Sequence, residues 1–468
     1  MSGHDGMRIR IVTAASLFDG HDAAINIMRR IMQSLGAEII HLGHNRSVHE
    51  IVECAIEEDA HAIALTSYQG GHMEFFKYMK DLLEEAGCGH ILIFGGGGGT
   101  ILPAEIDALH AYGITRIYSP DDGRRLGLEG MIREVIGLAE KGLKEYIQAP
   151  QKWEGTAIPL GELRDIRKIA RAITHAENGL AAAKPEKEKA VVLGITGTGG
   201  AGKSSVTDEL VRRFLNNFQD KTIAVISVDP SKKKTGGALL GDRIRMNSIS
   251  SPRAYMRSLA TRESDVALSH FAQDAINICK SQDFDLIILE SAGVGQGDAS
   301  ILDYSDVSLY VMTPEYGAAS QLEKINMLDY ADVICINKFD KAGAQDALHD
   351  VKKQYKRNHL LWSARDEDLP VFGTIAAQFN DAGINELFNS LMEVIEKKSG
   401  ITFGGHVRHI AHDADTRNKS QIIPPRRVRY LSEISDAVRE YDQWVEEQSA
   451  IATKLYQVSG TQKLLENE

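Results

Sequence analysis

The chain has 468 residues, of which 43% are apolar and 25% are charged, and its formal net charge is -12. This length exceeds one ordinary domain and indicates two or three. The acidic balance disfavours nonspecific binding to nucleic acid or to a membrane surface, and no apolar run reaches the roughly 18 residues of a membrane span. Four cysteines without a C-x-x-C pair argue against a zinc site and for a reduced, cytoplasmic setting. We therefore expect a cytoplasmic protein whose partners include no nucleic acid and no membrane.

Residues 7–145 alternate short apolar strands with amphipathic helices. The predicted strands are Ile9–Ala14, Glu38–His41, Ala62–Thr66, His90–Phe94 and Arg116–Tyr118. Five β–α units predict an α/β fold with a doubly wound, flavodoxin-like parallel sheet. Ligands of such sheets bind at the carboxyl ends of the strands, so the loops after the strands are the candidate binding loops.

A histidine preceded by an aspartate follows the first predicted strand. The segment from Asp19 through His21 to Ala24 resembles the D-x-H-x-x-G signature of cobalamin-binding domains in adenosylcobalamin-dependent mutases and cobalamin-dependent methyltransferases, with Ala24 in place of the family's glycine. The resemblance implies that His21 coordinates cobalt as the axial ligand. It also implies that Asp19 binds the other ring nitrogen and so fixes the tautomer and basicity of the imidazole.

Two further loops match this family in position. Ser67 follows the third strand, where the family has an S-x-L element beside the displaced nucleotide tail of the cofactor, although Gln69 takes the place of the leucine. A run of five glycines, including Gly95 and Gly96, follows the fourth strand and removes every Cβ where backbone must lie against a bulky ligand. The resemblance thus implies that Ser67, Gly95 and Gly96 contact adenosylcobalamin.

A complete phosphate-binding loop occupies residues 197–204, which read GTGGAGKS. The apolar strand 191–195 precedes the loop and the helical pattern 206–214 follows it, as this motif requires. The glycines let backbone N–H groups converge on phosphate oxygens, Lys203 reaches the outer phosphates as a catalytic cation, and Ser204 offers its hydroxyl to Mg. The residues predicted to bind the phosphates are Gly200, Ala201, Gly202, Lys203, Ser204 and Ser205.

A second nucleotide motif decides between ATP and GTP. The residues Asn337, Lys338, Phe339 and Asp340 follow the predicted strand 333–336 and resemble the N-K-x-D box of GTPases. In that box the aspartate accepts hydrogen bonds from N1–H and the 2-amino group of guanine, which adenine cannot offer. We therefore predict that Asn337, Lys338 and Asp340 bind the guanine of GTP. The alternative, an ATPase, would leave Asp340 without a role.

Three carboxylates between these motifs are candidate ligands of Mg. The segment 225–246 resembles the metallochaperone-like G proteins that serve acyl-CoA mutases. Asp229 ends a strand beside the phosphate loop and can reach Mg directly or through water. Asp242 lies in the following switch segment as a second candidate, and Arg245 can reach the phosphates. Glu290 begins an E-x-x-G version of the Walker B element and would hold Mg or position the attacking water.

The combined motifs resemble the amino-terminal part of the fused isobutyryl-CoA mutases over about residues 7–400. The resemblance implies radical chemistry supplied by adenosylcobalamin, GTP hydrolysis that gates cofactor loading and protection, and a homodimer. It also implies an acyl-CoA-binding TIM barrel as partner, fused or as a separate subunit, because a barrel of about 250 residues does not fit into this chain. The amphipathic helix predicted at 431–455 is expected to pack toward that barrel.

The sequence leaves other functions open. One is a stand-alone protein that delivers or senses cobalamin in a GTP-dependent way without mutase activity. A less favoured one is a corrinoid methyl carrier. In each case we expect a cobalamin-binding domain at 1–145, a helical linker at 146–189, a GTPase domain at 190–400, and a connector with a helix at 401–468.

Overall fold

The computed structural model describes residues 8–148, 159–160, 164–179, 190–262, 268, 271–293, 299–317, 322–404 and 430–466. The chain separates into two compact units, residues 1–409 and residues 410–468. The first unit contains two parallel sheets, each flanked by helices.

The first sheet follows the predicted doubly wound arrangement. Its strands are β1 (Arg10–Ser16), β2 (Glu38–Arg46), β3 (Ala62–Thr66), β4 (Leu92–Gly96) and β5 (Arg116–Tyr118), and they pair in parallel in the order β2-β1-β3-β4-β5. The helices are α1 (Ala23–Ser34), α2 (Val48–Glu57), α3 (His72–Glu85), α4 (Pro103–Tyr112) and α5 (Pro120–Gln148), the last broken at Gly127. Every residue of β1 is buried, as expected of a central strand covered on both faces. The predicted fold class is confirmed.

A short antiparallel pair and a buried helix connect the two sheets. The pair is β6 (Pro159–Leu160) and β7 (Arg164–Asp165), and the helix is α6 (Ile166–Glu177). The side chain of Asp165 accepts a hydrogen bond from the Arg167 amide and caps the helix. The apolar side of α6 is fully buried and packs against α2 and a helix of the second sheet, so this helix fills the space between the sheets. The polar segment 181–189 lies outside the described residues.

The second sheet carries the nucleotide motifs. The strands of this part of the chain are β8 (Val191–Gly197), β9 (Ile223–Asp229), β10 (Ala238–Leu240), β11 (Ala254–Ala260), β12 (Leu286–Glu290), β13 (Val307–Met312), β14 (Val333–Asn337) and β15 (Val371–Thr374). All except β10 form one parallel sheet in the order β11-β9-β12-β8-β13-β14-β15. The helices are α7 (Lys203–Asn217), α8 (Ala272–Ser281), α9 (Met327–Tyr330), α10 (Ala344–Asn358) and α11 (Ala382–Ser399).

The strand β10 belongs to the first sheet although its sequence lies within the nucleotide-binding part. Ala238, Leu239 and Leu240 pair in parallel with Glu38, Ile39 and Ile40 of β2. The first sheet therefore has six strands in the order β10-β2-β1-β3-β4-β5. The sequence indicates a switch segment at these residues and predicts no strand. The two sheets share one continuous cluster of buried apolar side chains.

The second unit contains one long helix, α12 (Tyr430–Glu466). It extends eleven residues beyond the predicted end at Leu455, and its side chains from 433 to 466 are exposed, including Trp444. Among the described residues, no helix combines the length and apolar character needed to cross a membrane.

Candidate functional site

The loop after β1 holds His21 through a buried carboxylate. Asp19 is only 2% exposed, whereas the side chain of His21 is 77% exposed. Asp19 Oδ1 accepts hydrogen bonds from the backbone N–H and the ring Nδ1 of His21, both at 2.9 Å. Asp19 Oδ2 accepts the backbone N–H of Tyr68 at 2.6 Å. With Nδ1 held by a carboxylate, Nε2 is the nitrogen available for a metal.

The surroundings of Asp19 keep it ionised. Burial by itself would raise its pKa, but the N–H groups of Tyr68 and His21 and the His21 ring outweigh burial and lower the pKa below its ordinary value. An ionised Asp19 accepts a hydrogen bond from Nδ1–H of His21, which leaves Nε2 as the ring nitrogen without this carboxylate partner. The donor set therefore fits a cobalt ligand.

The other predicted cofactor residues lie beside this loop. Ser67 is buried, and its hydroxyl lies 3.0 Å from that of Ser16 while its N–H donates to the Gly96 carbonyl at 2.9 Å. A Cβ at Gly95 would lie 2.3 Å from Phe76, so internal packing already requires glycine there. A Cβ at Gly96 would meet nothing closer than 3.4 Å, so no internal clash requires this glycine.

An apolar cavity opens next to these residues. It has a volume of about 190 Å³ and is bounded by α1, α5 and the ends of β3 and β4. Its lining includes Met28, Phe94, Gly96 and Tyr118. Tyr68 also lines the cavity, and the centroid of its ring lies 5.5 Å from that of the His21 ring. A largely apolar pocket beside the exposed histidine suits a flat organic base, such as that of the nucleotide tail of cobalamin.

The phosphate loop of the second sheet joins β8 to α7. Gly197, Gly200 and Gly202 have φ values of 151°, 75° and 89°, a region that favours glycine. Gly197 is also in close contact, because a Cβ there would lie 1.9 Å from the Val311 carbonyl oxygen. Lys203 begins α7 with a largely buried side chain whose Nζ donates to the Gly197 carbonyl at 3.4 Å. The loop and the first turn of α7 form an anion site at a helix N-terminus.

The candidate Mg ligands converge on Ser204. Its hydroxyl lies 2.9 Å from Asp242 Oδ1 and 2.9 Å from Glu290 Oε1. The second oxygen of Asp242 is hydrogen-bonded by the Ser227 hydroxyl, and Asp229 accepts the Gly241 N–H at 2.9 Å. No three Asp, Glu, His or Cys side chains form a metal cage in the described part of the chain.

The electrostatics of this cluster favour a cation. Burial, together with the neighbouring Asp242 carboxylate, raises the pKa of Glu290 to about 8. The same two causes raise the pKa of Asp229 to about 7. Carboxylates that are buried together repel one another, so a divalent cation would stabilise their ionised forms.

The raised pKa of Glu290 predicts a pH dependence of stability without metal. The ordinary pKa is 4.5, so between about pH 4.5 and 8 the folded state retains a proton that the unfolded state has lost, and stability falls as the pH rises. In EDTA, Tm is expected to decrease from pH 6 to pH 9, and Glu290→Gln is expected to reduce this slope. Calorimetry across the pH range measures both. Equal slopes in the two proteins would contradict the assignment.

The N-K-x-D residues pack directly on the phosphate loop. Asn337 donates to the Ala201 carbonyl at 2.8 Å and accepts the Ala376 N–H at 3.0 Å. Lys338, with a φ of 59°, donates to the Gly200 carbonyl at 2.8 Å. The carboxylate of Asp340 is exposed beside them. The geometry therefore brings the two nucleotide motifs together at one end of the sheet.

One part of this cleft was not predicted from the sequence. A polar cavity of about 540 Å³ is lined by the phosphate loop, Lys338 and the residues after β13, including Thr313 and Glu315. Glu315 forms an ion pair with Lys341 across this cavity. The rule that ligands bind at the carboxyl ends of strands could have identified residues 313–316, but they match no nucleotide motif.

The described contacts do not support the predicted binding of phosphate by Arg245 or the orientation of water by Gln296 or Asp298. Arg245 is exposed and makes no hydrogen bond with the described residues, whereas its neighbour Arg243 is buried against α2. Gln296 and Asp298 follow the E-x-x-G element in sequence, where either could orient the attacking water, and both lie outside the described residues. The roles of all these side chains remain predictions.

Comparisons with known proteins agree with the two sites. The family described as "Methylmalonyl Co-A mutase-associated GTPase MeaB" matches residues 166–457, and the "B12 binding domain" family matches residues 9–120. A fused isobutyryl-CoA mutase of Geobacillus kaustophilus is 55% identical over 97% of this chain and 42% of its own length. One of Cupriavidus metallidurans is 53% identical over 98% of this chain and 42% of its own length.

A more distant relative matches only a part of the chain. The methylmalonic aciduria type A homolog of Caenorhabditis briggsae is 34% identical over 37% of this chain and 43% of its own length.

The matches to the two fused isobutyryl-CoA mutases confirm the predicted resemblance to the amino-terminal part of these proteins, and the chain spans less than half the length of those relatives. The chain belongs to the family of methylmalonyl Co-A mutase-associated GTPases and carries a B12-binding domain ahead of its GTPase domain.

Proposed function

We propose that the chain is the cobalamin-binding and GTPase portion of a fused isobutyryl-CoA mutase. In this proposal, Mg-dependent GTP hydrolysis gates the loading and protection of adenosylcobalamin. The isomerisation of isobutyryl-CoA to n-butyryl-CoA takes place when an acyl-CoA-binding barrel is present. The observation that carries the proposal is the Asp19–His21 pair beside an apolar cavity, in the same compact unit as a phosphate loop.

Three groups of this chain would bind cobalamin. His21 would bind cobalt through Nε2, Asp19 would hold the ring and its tautomer, and the cavity lined by Gly96 and Tyr118 would take the nucleotide tail. When bound, adenosylcobalamin supplies the radical chemistry through its cobalt–carbon bond. The contribution of the protein is orientation of the ligand and exclusion of water from the tail.

The roles proposed for the residues of the GTPase site are those usual in phosphate-loop GTPases. Lys203 would stabilise the charge on the outer phosphates, and Ser204 would bind Mg together with Asp242 or Asp229. Glu290, which touches the Ser204 hydroxyl, would hold a water of the Mg shell or position the attacking water. Asp340 would select guanine, since it is exposed and lies two residues after Lys338, which lines the cleft.

A visible-absorbance titration with adenosylcobalamin tests the proposal most directly. The wild-type chain is expected to shift the spectrum to that of the base-off cofactor with histidine bound to cobalt. His21→Ala is expected to abolish the histidine-bound spectrum, because it removes the Nε2 that would bind cobalt. Asp19→Asn, which replaces the carboxylate that holds Nδ1 of His21, is expected to weaken adenosylcobalamin binding by about 10–100-fold.

His44→Ala serves as the matched control, because His44 is an exposed histidine on the end of the neighbouring strand β2. It is expected to titrate as the wild type does. An unchanged cofactor spectrum with the wild-type protein would overturn the cobalamin assignment and leave a GTPase attached to a flavodoxin-like domain.

The mutase part of the proposal requires a separate measurement. An acyl-CoA-binding mutase barrel added to the loaded chain is expected to convert isobutyryl-CoA to n-butyryl-CoA, and sedimentation is expected to show a homodimer in the assembled enzyme. If several such barrels restore no turnover while cobalamin and GTP still bind, a delivery or sensing protein explains the chain better. We further expect a cytoplasmic location.

A further inference from the structure

One segment of the chain touches both the nucleotide site and the cobalamin-binding domain. Residues 238–240 form β10 on the edge of the first sheet, and the next residues lead to Asp242 beside Ser204. We propose that residues 241–246 transmit the nucleotide state to the loop that holds His21, within this chain and without a further subunit. The inference rests on the proposed function, since it presupposes that both ligands bind.

The nucleotide end of this segment is tied to the predicted Mg ligand. The Ser204 hydroxyl lies 2.9 Å from Asp242 Oδ1, and the Ser227 hydroxyl donates to the other carboxylate oxygen. A hydroxyl that ligates Mg does so through an oxygen lone pair and can still donate its proton to Asp242 or to Glu290. Mg at Ser204 would therefore place a divalent charge beside the Asp242 carboxylate and draw it toward the metal shell. We expect this attraction to act on the backbone of residues 241–246, on which Asp242 lies.

The middle of the segment is fixed to the cobalamin-binding domain. The guanidinium of Arg243 is buried and pairs with Glu57 and, at 3.2 Å, with Glu58 at the end of α2. The side chain of Ile244 packs on Gly43 of β2 so closely that a Cβ at Gly43 would lie 2.7 Å from Ile244 Cδ1. The Ile244 carbonyl accepts a hydrogen bond from Arg46 at 3.4 Å. Movement of the segment is therefore passed to the carboxyl end of β2.

The end of β2 is in turn bonded to the cobalt-ligand loop. Asn45, next to Arg46, accepts the Phe18 N–H on its side-chain oxygen at 2.8 Å. Phe18 and Asn45 have φ values of 63° and 57°, a conformation that is unfavourable for residues other than glycine and that the surrounding contacts must hold in place. Phe18 directly precedes Asp19, which holds His21. The route from Ser204 to His21 is thus a continuous series of contacts.

The frame around this route is rigid. Arg10 of β1 donates to the Ser258 carbonyl of β11 at 2.8 Å, and Arg262 pairs with Glu38 of β2 at 2.9 Å. These bonds, with the β10–β2 pairing, oppose sliding of one sheet past the other. We therefore expect a displacement at Asp242 to appear in the loops and not in relative motion of the sheets. Such contacts can carry a coupling of about 5–150-fold in affinity.

The test measures adenosylcobalamin affinity of the full chain with Mg·GDP and with Mg and a nonhydrolysable GTP analogue. The wild type is expected to show dissociation constants that differ by about fivefold or more between the two states. Ile244→Ala, which removes the contact with Gly43, is expected to reduce that ratio to within about twofold while each ligand still binds alone. Ile434→Ala, an exposed isoleucine of α12, is the matched control and should keep the wild-type ratio.

A second variant and a second measurement distinguish a loss of coupling from misfolding of the first variant. Asn45→Ala removes the bond to Phe18 from an exposed position and is expected to reduce the ratio in the same way. Hydrogen exchange without cobalamin is expected to change at amides 42–46 when the nucleotide is exchanged. An unchanged exchange pattern would count against the route.

The outcomes separate this inference from the proposed function. No cobalamin binding by the wild type would refute the proposed function itself. Binding of both ligands with equal cobalamin affinities in the two nucleotide states would refute only the coupling. A wild-type ratio retained in both Ile244→Ala and Asn45→Ala would refute the route.

Discussion

Replacing Lys203 by alanine is expected to slow GTP hydrolysis by about 10²–10³-fold, the usual cost of removing one preorganised group that stabilises transition-state charge. Lys203 is 9% exposed, begins α7, and points its ammonium toward the inside of the phosphate loop, where it contacts the Gly197 carbonyl. Its Nζ also lies 3.2 Å from the position that a Cβ at Gly293 would take, so it reaches both loops that border the γ-phosphate. Phosphate release at saturating GTP measures the loss.

Lys234→Ala provides the control for this experiment, because Lys234 is an exposed lysine on the turn before β10. It is expected to hydrolyse GTP at the wild-type rate. Lys203→Ala should retain the adenosylcobalamin spectrum of the wild type, because Lys203 lies outside the contacts of the His21 loop. A variant that hydrolyses GTP within about threefold of the wild type would remove Lys203 from the mechanism.

The second large effect concerns stability. Glu38→Ala is expected to lower the free energy of unfolding by about 3–5 kcal/mol, because it leaves buried guanidinium groups without their carboxylate. Glu38 is fully buried at the start of β2 and bonds Arg262 at 2.9 Å and Arg10 at 3.2 Å. Arg262 lies two residues after β11 of the second sheet and Arg10 begins β1 of the first, so one carboxylate joins the two parts. Urea unfolding measures the change.

Glu38 also predicts how stability responds to acid. Burial would raise its pKa, but Arg262 and Arg10 outweigh burial and hold the pKa at about 2, below the ordinary 4.5. A carboxyl with a lowered pKa contributes stability that is present above about pH 4.5 and is lost as the pH falls toward 2. Between pH 5 and 3, Glu38→Ala is therefore expected to lose less stability than the wild type loses.

Glu129→Ala is the matched control for Glu38. Glu129 pairs with Arg133 on α5, but both side chains are more than 60% exposed. Exposed pairs of this kind contribute about 0–1 kcal/mol. If the two variants lost similar amounts of stability, the buried ion pairs between the sheets would contribute no more than a surface pair.

The strands and motifs could be predicted because their signals are local. Each of the five predicted strands of the first sheet contains at least two consecutive apolar residues, and the phosphate loop and the N-K-x-D box each follow an apolar strand. The residues around Asp19 and His21 were also predictable, since the two side chains bond each other at a separation of two positions. Local patterns of this kind do not depend on what a distant part of the chain does.

The junction between the sheets could not be predicted, because its partners are far apart in sequence. Ala238, Leu239 and Leu240 follow a segment of lysines and glycines within the predicted switch, and they form a strand because the distant β2 offers an edge. Arg10 and Arg257 appear in sequence as ordinary surface charges, yet each is at most 2% exposed. Their burial is possible only because carboxylates from other elements, such as Glu177, meet them there.

Because β10 pairs with β2, the B12-binding part cannot be separated from the GTPase part without exposing an edge of the first sheet. Without Ala238–Leu240, the backbone of β2 would present unpaired N–H and C=O groups along one side of the first sheet, and such an open edge is a template for pairing with another chain. The B12-binding part, cut out by itself, would therefore tend to aggregate or to form swapped dimers. The two parts match separate families in sequence but lie in one compact unit in this chain, so we expect a cut between them to lower the stability of the B12-binding part.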